Sequence, residues 1–225
     1  MAAREIVAIG GGWFCEGLAR FLVELTGRER PRMLYIGTAM AEHPEGALRT
    51  YDRFAGLADV SRLELFPWPP DELQSLILES DLVFVGGGNT ANMLALWRVH
   101  GIDELLREAL DRGVVLSGSS AGGICWFERG VTDSFGPQLG GMECLGFLQG
   151  SFCPHWNDEE LRRPRYHELL RNGFPDGYAA DAGVALRFVD GELREVVACD
   201  DGSKAYRVEV RGGAVVETPI EARAV

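Results

Sequence analysis

Ser120 stands in the pentapeptide Gly118-Ser119-Ser120-Ala121-Gly122, which follows the apolar run 114–116. The pattern G-x-S-x-G is typical of a sharp strand-to-helix turn that presents a nucleophilic serine, and a helix is predicted over 124–127. Glycines are needed two positions to either side, because the backbone passes so close that a Cβ would clash. Ser119 lacks them, so Ser120 is the predicted nucleophile. Small residues in a purely structural turn would give the same short pattern, so other residues must decide.

A nucleophilic serine needs a base, and the chain has four histidines to supply one. His43 precedes a proline in a loop, while His100 and His167 fall in helical patterns. His155 follows residues 146–154, a run with the character of an irregular strand ended by proline, so a loop would hold its imidazole. We therefore predict His155 as the general base.

The imidazole in turn needs a group that orients it, and a carboxylate is the usual choice. Asp133 is the first prediction, because it falls in a turn beyond the helix predicted after Ser120 and could fold back to the site. An aspartate in such a turn is equally able to bond its own backbone. The other acids that the sequence leaves as candidates are Glu128, Glu143, Asp158 and Glu159.

Gly86-Gly87-Gly88-Asn89-Thr90 follows the apolar run 82–85 and precedes a helical pattern. Backbone N–H groups at this strand end are expected to face the edge of the sheet where Ser120 lies. The N–H groups of Gly88 and Ala121 are therefore predicted to form an oxyanion hole, each worth about 3–4 kcal/mol in the transition state. A nucleotide-phosphate loop competes, but neither G-x-G-x-x-G nor G-K-[ST] occurs.

Five irregularly spaced cysteines, in a chain that begins without a long apolar segment, predict reduced thiols rather than a disulfide framework. Cys153-Pro154-His155 is a weak zinc pattern, because no second paired cluster accompanies it, and no metal is predicted. Cys125 is expected to be a buried packing residue.

The 225 residues, 46% hydrophobic and 25% charged, suit one globular domain spanning 1–225. A formal net charge of −12 disfavours nucleic acid and anionic membranes as partners and leaves peptides or small molecules as substrates. No apolar run reaches the roughly 20 residues that span a bilayer, so a cytoplasmic location is expected. The sequence does not decide the oligomeric state, and a homodimer stays open.

Apolar runs alternate with helical patterns through the first half of the chain. Strands are predicted at 6–9, 33–36, 63–66, 82–85 and 114–116, and helices at 18–25, 46–58, 72–78 and 93–110. This order predicts an α/β fold with a doubly wound, mostly parallel sheet flanked by helices, and with ligands at the carboxyl ends of its strands.

The second half of the chain is predicted to end in an antiparallel extension. A helix is predicted to end at 167–171, and four β-like runs follow at 184–188, 192–198, 206–210 and 214–216. The turn pairs Asp190-Gly191, Asp201-Gly202 and Gly212-Gly213 separate these runs and predict hairpins.

Together these motifs resemble the peptidase E family of serine peptidases, which includes dipeptidase E and cyanophycinase. Gly86-Gly87-Gly88-Asn89-Thr90 is similar to the family's G-G-G-N-T segment, Gly118-Ser119-Ser120-Ala121-Gly122 to its nucleophile turn, and Pro154-His155 to its catalytic histidine, in the same order. The resemblance implies a fold like class I glutamine amidotransferases and flavodoxin. It also implies a Ser-His-Asp/Glu triad without a metal or organic cofactor, and hydrolysis of dipeptides or short peptides.

By this resemblance Ser120 is the nucleophile, His155 the base and Asp133 the acid, with Gly88 and Ala121 as oxyanion donors. Substrate binding falls to Asn89 and to Arg162, which matches an arginine that recognises the aspartyl carboxylate in dipeptidase E. The loop from His155 to Arg162 is shorter than the family's, so specificity for aspartyl peptides is left open. The alternatives are a cyanophycinase-like isopeptidase, an esterase, or a non-catalytic binding protein on the same scaffold.

Overall fold

Residues 3–12 and 14–225, which the computed structural model describes, form two β-sheets of eight and six strands. The larger sheet has the order β14-β11-β10-β1-β5-β4-β2-β3. Its strands are β1 (Glu5–Ile9), β2 (Arg32–Ile36), β3 (Asp59–Leu63), β4 (Leu82–Val85), β5 (Val115–Ser119), β10 (Val184–Val189), β11 (Glu192–Ala198) and β14 (Arg223–Ala224). The neighbouring strands β1, β5, β4, β2 and β3 pair in parallel in that order. Strand β10 pairs antiparallel with both β1 and β11.

The smaller sheet has the order β13-β12-β9-β8-β6-β7. Its strands are β6 (Phe127–Thr132), β7 (Gly140–Glu143), β8 (Leu148–Cys153), β9 (Gly177–Ala180), β12 (Ala205–Arg211) and β13 (Ala214–Ile220). The helices are α1 (Glu16–Leu25), α2 (Pro44–Arg53), α3 (Leu73–Leu78), α4 (Thr90–His100), α5 (Ile102–Asp111), α6 (Ala121–Ile124) and α7 (Arg162–Arg171), with a 3₁₀ turn at Thr38–Met40. Within the described ranges, no helix is long and apolar enough to cross a membrane.

The alternation of side chains along β1 divides the core between the two faces of the larger sheet. Val7 and Ile9 face α1 and α2, in a cluster that includes Leu18 and Phe54. Ile6 and Ala8 face the opposite side, where α4, α5 and the smaller sheet bury a second cluster. The layered α/β arrangement with helices on both sides of a mostly parallel sheet is the one that the sequence predicts.

Several predicted elements have different bounds in the structure. The run 63–66 is wrong as a strand, because the edge strand β3 lies four residues earlier and buries only Leu63. The helix predicted over 93–110 is two helices, since Gly101 adopts a φ of 69° between α4 and α5. The helix predicted over 124–127 is also wrong, because α6 ends at Ile124 and Phe127 starts β6.

Hairpins form at Asp190-Gly191 and Gly212-Gly213, as predicted. The hairpin predicted at Asp201-Gly202 is wrong, because β11 belongs to the larger sheet and β12 to the smaller one. The turn there carries the chain from one sheet to the other, and the Asp200 carboxylate accepts the N–H groups of Gly202 and Ser203.

Cys15 and Cys199 form a disulfide with a Cα separation of 5.7 Å, which corrects the expectation of reduced thiols. The two residues are 184 positions apart, but β1, β10 and β11 are neighbours in the sheet, so the segment after β1 meets the end of β11. The spacing of the cysteines along the chain does not indicate that Cys15 and Cys199 lie close together. The other three cysteines, Cys125, Cys144 and Cys153, are free.

Candidate active site

Ser120 lies at the carboxyl end of β5, in a backbone conformation that is rare for residues other than glycine. Its φ is 55° and its ψ is −113°, and its N–H donates to the Ile9 carbonyl at 3.0 Å. A Cβ on Gly118 would collide with the Gly122 backbone, and one on Gly122 with the carbonyl of Val85. The two glycines therefore permit the tight turn, and strain of about 1–3 kcal/mol at such a residue is common at functional sites.

His155 follows β8 and brings its imidazole to Ser120. Its Nε2 lies 3.0 Å from the Ser120 Oγ, and its own φ is 58°. The backbone N–H of His155 donates to the Gly10 carbonyl at 2.8 Å. The predicted nucleophile and base are thus within hydrogen-bond reach of each other, as general-base activation of a serine requires.

The end of β1 anchors both of these residues, which sequence reasoning missed. Consecutive carbonyls, those of Ile9 and Gly10, accept the N–H groups of Ser120 and His155. The next residue, Gly11, lies directly against the imidazole, at a φ of 92°. The signal in the sequence is the glycine triplet Gly10-Gly11-Gly12, which directly follows a predicted strand.

Two carboxylates lie near the second nitrogen of the imidazole. The Nδ1 of His155 is 3.3 Å from Asp158 Oδ2 and 3.8 Å from Glu159 Oε1. Both acids are about 43–44% exposed, and they follow His155 at positions three and four. Such spacing places them beside the ring, so either can orient it and stabilise an imidazolium.

The structure does not bring the other candidate acids to His155. Asp133 is exposed in the turn after β6, where its backbone carbonyl accepts the N–H of Gly136. Glu128 lies in β6 and accepts the N–H of Gly150 at 2.7 Å. The turn that holds Asp133 instead contacts the N-cap of α4, where the Ser134 carbonyl accepts the Asn89 Nδ2–H at 2.9 Å.

The predicted oxyanion donors are both placed at the carboxyl edge of the sheet. Ala121 begins α6, so its N–H has no partner within the helix. Gly88 has a φ of 132°, and a Cβ there would collide with the carbonyl of Ala39 in the 3₁₀ turn. A Cβ on the neighbouring Gly87 would be 3.2 Å from the Ser120 Cβ, which shows how closely this loop approaches the nucleophile.

The two predicted substrate-binding side chains are engaged within the protein. The Oδ1 of Asn89 accepts the N–H of Asn92 at 2.8 Å and caps α4, and its Nδ2 donates to the Ser134 carbonyl at 2.9 Å. Arg162 is 5% exposed and donates from Nε to Glu159 Oε2 at 2.6 Å.

Asp181 is a buried carboxyl-bearing residue whose backbone lies against Gly10. Its Oδ2 accepts the N–H of Lys204 at 2.9 Å, while its Oδ1 is buried without a partner in the described part of the chain. Burial raises the pKa of Asp181, and the nearby carboxylates of Asp200 and Asp158 act in the same direction.

Burial also raises the pKa of Cys153, to about 12. A thiol in that state is a poor metal ligand, because ligation needs the thiolate. Among the described residues, no group of three or more His, Cys, Asp or Glu side chains could hold a metal ion. The chemistry available from this geometry is nucleophilic attack by a hydroxyl with a histidine as base.

Two solved structures share the fold. One is a peptidase from an acI-B1 Actinobacterium, with a TM-score of 0.71 and 18% identity over 98% of this chain and 95% of that one. The other is a putative Peptidase E protein from Listeria monocytogenes EGD-e, with a TM-score of 0.68 and 16% identity over 88% of this chain and 100% of that one. The fold is therefore of the flavodoxin-like, class I glutamine amidotransferase-like type.

Sequence comparison gives a closer relationship. The chain is 46% identical over 224 residues to the uncharacterised peptidase YgaJ of Bacillus subtilis (strain 168), covering 96% of this chain and 97% of that protein. The model of Peptidase family S51 matches residues 5–196, a range that contains the turn at Ser120, His155 and the glycine-rich loop at Gly88. The chain is a peptidase that belongs to family S51.

Proposed function

We propose that this peptidase hydrolyses dipeptides or short peptides through Ser120 as nucleophile and His155 as general base. The observation that carries the proposal is the 3.0 Å distance between His155 Nε2 and Ser120 Oγ, with the serine held in a strained turn. Geometry of this kind is what activation of a serine hydroxyl requires.

In the proposed reaction, Ser120 Oγ attacks the scissile carbonyl carbon while His155 Nε2 takes the hydroxyl proton. The carbonyl oxygen becomes an oxyanion, which the N–H groups of Gly88 and Ala121 stabilise by about 3–4 kcal/mol each. His155 then protonates the leaving amine as the C–N bond breaks. A water molecule, deprotonated by His155, cleaves the acyl-enzyme ester and restores the serine.

Asp158 and Glu159 take the role of the acid in this proposal, in place of Asp133. The distances of 3.3 and 3.8 Å to His155 Nδ1 support them, and the exposed position of Asp133 in the turn after β6 does not support that residue. Polar contacts of this length in an active site without substrate commonly tighten when substrate closes the site.

The test compares Ser120→Ala with Ser119→Ala, since the two serines are adjacent and only one has the strained backbone. On a panel of dipeptides, S120A is expected to lose activity by about 10⁶-fold, as removal of a serine nucleophile does elsewhere. S119A is expected to keep it.

A fluorophosphonate probe should label the wild type and S119A but not S120A. Hydrolysis by S120A at the wild-type rate would refute the proposal. So would a folded wild-type protein that neither hydrolyses peptides nor reacts with the probe. Cleavage of simple esters or β-aspartyl links alone would favour the esterase or isopeptidase alternative.

A further inference from the structure

Arg162 is a buried cation at the first position of α7. A guanidinium is strongly disfavoured away from water unless its donors are paired. Its Nε donates to Glu159 Oε2 at 2.6 Å, and its Nη1 donates to the Val131 carbonyl at 2.8 Å. The side chain is only 5% exposed, so these two partners hold it in one orientation.

Glu159 joins this cation to the base. One carboxylate oxygen receives the guanidinium and the other lies 3.8 Å from His155 Nδ1. Asp158 is nearer to the ring, at 3.3 Å, but it has no arginine or lysine partner among the described residues. An exposed carboxylate without such an anchor loses more rotamer freedom when it is held in place. Glu159 is therefore the better ordered of the two acids.

We infer that Arg162 is a positioning residue, which holds Glu159 beside His155 and does not receive an acidic side chain of the substrate. The inference rests on the proposed function. A substrate carboxylate would compete with Glu159 and the Val131 carbonyl for a side chain that solvent hardly reaches. Peptides that differ only in the charge of the N-terminal side chain are then cleaved with similar efficiency.

The experiment measures kcat and KM for aspartyl and asparaginyl p-nitroanilide, two substrates of equal size that differ in charge. The wild type is expected to show kcat/KM values within about tenfold of each other. Arg162→Met should lower kcat for both substrates by about 10²-fold with little change in KM, because a released Glu159 no longer orients the imidazole. Arg162→Lys keeps the positive charge beside Glu159, so it should retain part of the kcat that Arg162→Met loses.

A double variant of Arg162 and Glu159 distinguishes a positioning role of Arg162 from a general loss of structure. Glu159→Gln is expected to lower kcat by about 10²-fold, and the R162M/E159Q double variant should be no worse than E159Q alone. Asp158→Asn removes the other carboxylate beside the imidazole and is expected to lower kcat as well, but by less than Glu159→Gln. Glu160→Gln, at an exposed carboxylate away from the imidazole, is the matched control and should keep kcat. If R162M does not fold, E159Q and D158N carry the test: similar losses in both would overturn the inference.

The opposite result is equally clear. If R162M keeps kcat for the asparaginyl substrate and raises KM for the aspartyl substrate alone, Arg162 binds substrate and the inference is wrong. Failure of the proposed function looks different, since the wild type itself would then cleave neither compound.

Discussion

Replacing Gly11 by alanine is expected to disable the site without unfolding the protein. Gly11 follows Gly10, whose carbonyl accepts the N–H of His155. A Cβ at this position would lie 3.0 Å from His155 Nδ1 and closer still to Cε1 and Nε2. Because ordinary contacts begin near 3.4 Å, the imidazole would have to move by about 1 Å, which disturbs its 3.0 Å contact with Ser120 Oγ.

The size of the effect follows from this displacement. A misplacement of about 1 Å in a catalytic group costs about 10²-fold in rate, so kcat/KM should fall by that factor. Gly11 has a φ of 92°, which is strained for alanine, so the G11A substitution should also lower the free energy of unfolding by about 1–2 kcal/mol.

Gly27→Ala is the matched control, because Gly27 also has a positive φ, of 64°, but has no atom within 4 Å of an added Cβ. Both variants should lose stability in urea unfolding by similar amounts, while only G11A should lose dipeptide hydrolysis. Equal kcat/KM values for G11A and G27A would refute the placement of the imidazole over Gly11.

Three further predictions concern the cysteines and Asp181. The C15S/C199S double variant should lower the free energy of urea unfolding by up to about 5 kcal/mol, because the disulfide closes a span of 184 positions; an unchanged midpoint would contradict this. Burial raises the pKa of Cys153 to about 12 and that of Cys125 well above its usual value, so neither should react with an aromatic disulfide reagent at pH 8 until the protein unfolds. The folded-state pKa of Asp181 lies above its unfolded value, so the wild type should gain stability relative to Asp181→Asn as pH falls through the folded value towards the unfolded one. If the stability difference between the wild type and Asp181→Asn does not change between pH 7 and 4, the pKa of Asp181 is not raised in the folded protein.

The tight turn at Ser120, the loop that carries His155 and the parallel strands could all be predicted from local sequence, since each depends on neighbouring residues. Glycines flank Ser120 because the turn admits no Cβ, and the alternation of apolar runs with helical patterns specifies the layered sheet. Even His155 could be found, because a proline-ended strand followed by a loop is a local pattern.

The partners of these residues depend on how distant segments meet, which only the tertiary structure decided. Asp133 is the acid that the turn after Ser120 predicts, whereas Asp158 and Glu159 lie 3.3 and 3.8 Å from His155 Nδ1 in the structure. The same holds for the Cys15–Cys199 disulfide, which the sheet order brings together. The sequence gives the type of each side chain, but its contact partner depends on how elements far apart in the chain pack together.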